Sequence, residues 1–149
     1  MTGFVDIQAA IVSKLRKIDP DVDVNSADVE EGFKRPCFFI DIVDVNVENL
    51  MDRIEEKEIE FDVVYFPKHP KKNQIDLLEM RDKLTKSFVE NSYFNITDDL
   101  VVQATDVEIF EVDKILHCRF NIFIAEEYEK VYEGNMEELE FKEGINADK

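Results

Sequence analysis

Ile115-Leu116-His117-Cys118-Arg119-Phe120-Asn121-Ile122-Phe123-Ile124-Ala125 is the stretch that decides the fold. Leu116, Cys118, Phe120, Ile122 and Ile124 fall at every second position, with His117, Arg119 and Asn121 between them. Successive side chains of a strand point to opposite faces. The stretch therefore reads as a strand with one face turned to a core and one turned away. Residues 101–112 before it form a second strand-like run, and Asp113-Lys114 between the two reads as a hairpin turn. After Ala125 the chain turns acidic, with Glu126, Glu127, Glu129, Glu133, Glu137, Glu138 and Glu140, and with Tyr128, Tyr132 and Phe141 interspersed. A final strand, a helix or an arm all fit that segment.

Upstream, two helices show the other periodicity. Phe4, Ile7, Ile11, Leu15 and Ile18 form one apolar stripe, so residues 4–18 read as a helix. Lys14, Arg16 and Lys17 lie in its last turns, where cations suit the dipole, and Asp19-Pro20 stops it. Leu77, Arg81, Leu84 and Phe88 recur likewise, giving a second helix over 74–90 with Asn73 as its N-cap. Between the helices lie a short strand at Asp21-Val22-Asp23-Val24, a polar loop over 25–35, and a strand from Pro36 through Cys37-Phe38-Phe39-Ile40-Asp41-Ile42-Val43. The last has apolar residues at both parities, which predicts cover on both faces. Residues 53–66 form the next strand, with Ile59, Phe61, Val63 and Tyr65 on one face and Glu58, Glu60 and Asp62 on the other. A polar connection around Glu48 to Asp52 predicts an antiparallel hairpin.

The expected fold is a single α+β domain, with a mostly antiparallel or mixed sheet and two amphipathic helices on one face. Its order is α-β-β-β-α-β-β, followed by the acidic segment. The expected division is a domain over 1–127 and an acidic C-terminal segment over 128–149, as strand or arm.

The 149 residues suit one domain, and 44% apolar residues are too many for a disordered chain. The formal charge of −17 disfavours nonspecific binding to nucleic acid or to anionic lipid. Charge-based solubility explains it simply; a negative wall past which DNA slides is the functional alternative. Cys37 and Cys118 are too few for a disulfide framework and sit in apolar runs, so they read as buried thiols in a reducing compartment. Met1-Thr2-Gly3-Phe4-Val5-Asp6 has neither the basic nor the apolar region of a signal peptide, and no stretch approaches a membrane span. The expectation is a protein made and used inside the cell.

Catalytic constellations find little support. His117 and Cys118 are strand neighbours on opposite faces and cannot share an ion, His69 sits in a proline loop, and no ligand spacing links either histidine to Cys37. There is no Gly-x-Ser-x-Gly elbow, and Gly3, Gly32, Gly134 and Gly144 are too scattered to cradle phosphate. An Mg²⁺-dependent nuclease would use Asp41 with Glu55 and Lys57 on the next strand, the carboxylates holding the ion and the lysine assisting water. A solvated strand face is the plainer reading of those residues, as it is for Glu58, Glu60 and Asp62. No catalytic, cofactor-binding or metal-binding residue is assigned.

The run Val29-Glu30-Glu31-Gly32-Phe33-Lys34-Arg35-Pro36-Cys37-Phe38-Phe39-Ile40 is distinctive. With the opening helix leading into Asp21-Val22-Asp23-Val24, and with Phe61-Asp62-Val63-Val64-Tyr65-Phe66-Pro67 before a helix, it resembles small phage tail terminator proteins of Bacillus- and Clostridium-type phages and prophages. The resemblance covers about residues 4–90. It implies a non-enzymatic virion protein that forms a ring, usually hexameric, at the head-proximal end of the tail. Such a ring caps the tail tube and presents it to the head–tail connector. The implied partners are copies of itself, the tail tube protein and the connector protein. No cofactor or membrane is implied, and DNA passes through without specific binding. The implied location is the virion, and the host cytoplasm before assembly. Polar loops over 25–35, 46–53 and 67–73 and exposed strand edges are candidates for the contacts. Another head–tail neck adaptor is the alternative within the same class.

Overall fold

The computed structural model describes residues 2–25 and 34–129. Helix α1 (Phe4–Ile18) buries Ile7, Ile11 and Leu15, and the Gly3 backbone N–H donates to the Asp6 carboxylate at its start. β1 (Asp23–Asn25) leads to β2 (Cys37–Leu50) and β3 (Ile54–Phe66). Helix α2 (Gln74–Thr85) buries Leu77, Met80 and Leu84, then widens into a π-helical turn over Lys86–Glu90 that buries Phe88. β4 (Tyr93–Thr97), β5 (Leu100–Gln103), β6 (Thr105–Val112) and β7 (Ile115–Glu127) complete the order.

The main sheet has five strands in the order β1-β2-β3-β7-β6, parallel only between β1 and β2. β4 and β5 form a separate two-stranded sheet. β3 and β7 pair along their whole length, with Tyr65 opposite Leu116, Val63 opposite Cys118, Phe61 opposite Phe120 and Ile59 opposite Ile122. Directly opposed residues share a face, so the two apolar rows merge into one surface, and both helices pack on it. Phe120 is stacked between Phe61 and Phe88, at ring-centroid distances of 5.8 and 4.7 Å. Offset aromatic contacts of this kind contribute about 1 kcal/mol each beyond area burial. The architecture is the expected single α+β domain with two helices on one face of the sheet.

Several boundaries differ from the sequence reading. β2 does not end near Val43; it continues to Leu50, so most of the expected polar connection is strand and only residues 51–53 turn. The cause is a bulge: Ile42 faces Phe61 but Asp44 faces Glu60, leaving Val43 as the extra residue. The bulge switches parity, so Val45 and Val47 stay on the same face as Ile42, and simple alternation hides the strand. Cover on both faces holds only at the start, where Cys37 and Phe38 are buried; residues 41–50 are exposed. The expected run 101–112 is two strands in two sheets, and β4 was not foreseen. Asn73 sits at the N-cap position of α2 but its side chain does not cap; it is buried and donates to the His69 and Lys114 carbonyls. The Asp113-Lys114 hairpin is as read, with both residues at positive φ. The expected loop over 25–35 lies largely outside the described residues, as does the acidic segment from 130 onward.

Candidate assembly surface

The face of the sheet away from the helices carries the molecule's main chemical anomaly. Alternation puts Asp41, Asp44, Asn46 and Glu48 of β2 on that face, together with Glu56, Glu58, Glu60 and Asp62 of β3. The register then sets Asp41 opposite Asp62, Asp44 opposite Glu60 and Glu48 opposite Glu56. Like charges directly opposite one another are destabilising, by a few tenths to about 1 kcal/mol per pair. β7 adds Arg119 opposite Asp62, and Phe123, half-exposed, opposite Glu58. Among the described residues no helix or strand covers this face.

Asp62 is the buried member of the row. Its Oδ2 lies 3.0 Å from His117 Nδ1 and 3.7 Å from Arg119 Nε. Its Oδ1 is buried with no hydrogen-bond partner among the described residues. His117 in turn stacks flat on Phe110, at 5.0 Å and 3°. β2 also leaves an edge open: β1 pairs with it only over Cys37–Phe39, and beyond that no described strand joins it.

On the helix side, the far end of the β2–β3–β7 extension is clamped to α1. Lys57 is buried, donates to the Thr2 carbonyl at 2.6 Å, pairs with Glu55 at 3.0 Å and lies 5.2 Å from the Phe4 ring centroid. Thr2 donates its backbone N–H and its hydroxyl to the two oxygens of Glu126, at 3.0 and 2.9 Å. Phe4, Val45 and Val47 remain partly exposed beside this clamp.

At the other end of the helix layer, Lys14, Lys17, Lys83 and Lys86 line a cleft of about 320 Å³ with Ile18, Ser87 and Asn91. Lys14 donates to the Asn91 carbonyl at 2.9 Å and lies over the Phe88 and Phe94 rings; burial, then the Lys17 charge, lower its pKa. Lys83 pairs with Asp19 at 3.2 Å. Lys17 and Lys86 are exposed and form no ion pair among the described residues. This cleft was not foreseen, because its lysines come from two helices far apart in sequence.

The residues considered for catalysis are not brought together. Asp41 stands on the open face opposite Asp62, whereas Glu55 and Lys57 pair with Asn49 and Val47 on the helix side. The nuclease reading is therefore corrected: the sheet separates the carboxylate from the lysine, and the ammonium is engaged in holding α1. Glu58, Glu60 and Asp62 do lie on the polar face, as read. Cys37 and Cys118 are both buried and free, on opposite faces of the sheet. Burial pushes the Cys118 thiol up to about 12 and raises that of Cys37. Among the described residues, no three His, Cys, Asp or Glu side chains gather as metal ligands, and no helix is long and apolar enough to cross a membrane.

A family model described as phage tail terminator protein matches residues 6–133, most of the chain. The chain belongs to that family, and is thus a structural protein of the phage tail. No curated protein matches it.

Proposed function

We propose that the chain caps the head-proximal end of the tail tube and presents it to the head–tail connector, as one subunit of a hexameric ring. The family match over residues 6–133 carries this reading. The partners are further copies of the chain, the tail tube protein and the connector protein. The domain over 1–127 supplies the ring body, and the acidic segment over 128–149 extends from it as a strand or arm. The protein is not an enzyme and takes no cofactor or metal. Its site is the virion, reached from the host cytoplasm. The net charge of −17 supports DNA passage without retention, since an acidic surface repels phosphate.

Electron microscopy of lysates from a phage lacking the gene tests the role. Overlong or irregular tails without heads are the expected result. Tails of normal length beside separate full heads would instead identify a neck adaptor, and intact infectious particles would refute both.

A further inference from the structure

We propose that subunits of this chain join front to back, the open carboxylate face of one copy docking on the lysine-lined cleft of a second. The inference rests on the ring-subunit reading and names the surfaces by which such subunits would meet.

Charge complementarity within the chain points to a second copy as the occupant. The open face carries Asp41, Asp44, Glu48, Glu56, Glu58, Glu60 and Asp62, with Arg119 and His117 as its basic residues. On the opposite side of the molecule, Lys17 and Lys86 stand exposed and without an ion pair among the described residues. Both line the cleft of about 320 Å³ between the helices, with Lys14 and Lys83 beside them.

A further observation agrees. The opposed pairs Asp41–Asp62, Asp44–Glu60 and Glu48–Glu56 repel one another in the isolated chain, and incoming ammonium groups would remove that repulsion. Front meeting front would set carboxylates against carboxylates, which disfavours a two-fold dimer. Front meeting back is heterologous, repeats at each step, and closes if the rotation allows.

Sedimentation velocity on purified full-length chain tests this with four proteins. They are the wild type, the front reversal Glu48→Lys/Glu58→Lys, the back reversal Lys17→Glu/Lys86→Glu, and the chain carrying both reversals. All four substituted positions are exposed, and circular dichroism checks that each variant folds. The wild type should associate at low ionic strength and weaken at least ~tenfold at roughly 0.5 M salt, where the Debye length is about 4 Å. Each reversal alone should weaken association at least ~tenfold. Mixing the two reversed chains, or placing both reversals in one chain, should restore it. A wild type that stays monomeric at low salt overturns the proposal. So does a front reversal not rescued by the back reversal, which would place the carboxylate face against another partner. Either failure leaves the gene-deletion result untouched, so loss of this contact is distinguishable from loss of the terminator role.

Discussion

The Cys118 thiol is held up to about 12 by burial first and by the Asp62 charge second. Tyr65 is likewise raised, by burial first and then by its hydrogen bond to Asp76. Both groups are neutral below pH 9, so their protonated forms are fully compatible with the fold there. Above that the unfolded thiol ionises while the folded one keeps its proton, so the unfolded state binds fewer protons and stability falls as pH rises from 9 toward 12. Urea denaturation at pH 8, 9.5 and 11 should show this decline, and Cys118→Ala should make it shallower. Lys57 is the second residue with a definite expectation. Lys57→Ala strands Glu55 and the Thr2 carbonyl and should cost about 2 kcal/mol, with loss of amide protection in the first turns of α1 by hydrogen exchange. The sequence held a clue to this role that the nuclease reading passed over. Lys57 has the parity of Ile59 and Phe61, so it had to point toward the helices. What covers it there is the start of α1, and no local pattern in β3 announces a contact with Thr2 and Phe4.

At the scale of elements, the β2–β3 hairpin shows the tension between stability and assembly. Glu48→Lys replaces an opposed carboxylate pair with Glu56 by an attractive one, and should stabilise the isolated chain by about 0.5–1 kcal/mol in urea denaturation. Elements with long regular periods were legible: α1 matches its expected bounds, and β3 and β7 show the expected alternation. The length of β2 was not, because the bulge at Val43 breaks the two-residue period and the strand beyond it has no core to demand apolar residues. β4 escaped for a related reason. Tyr93–Thr97 is short, and it leaves the main sheet to pair with β5 across a tight Asp98-Asp99 turn. The second helix was placed correctly but not its change of pitch. Phe88 at helical spacing fits either an α or a π turn, and only packing of its ring against Phe120 distinguishes them.

For the molecule as a whole, the net charge of −17 was readable but its segregation was not. Carboxylates gather on one side because strand alternation sorts them there, whereas the cations meet only when α1 and α2 pack side by side. Salt should therefore act in two opposite directions. At a dilution that keeps the chain monomeric, raising NaCl from about 0.05 to 0.5 M screens the carboxylate row and should raise Tm by a few degrees. At high protein concentration the same salt should dissolve oligomers, by sedimentation. The open margin of β2 carries one more implication. A strand edge bearing Ile42, Val45 and Val47 that no described strand joins is a template on which identical chains could zip into fibrils. The bulge kinks that margin, and Asp41, Asp44 and Glu48 set a negative charge beside it on the neighbouring face. Two such margins laid edge to edge would bring their charges into register, so the carboxylates act as a safety catch against amyloid-like stacking while copies of the chain accumulate.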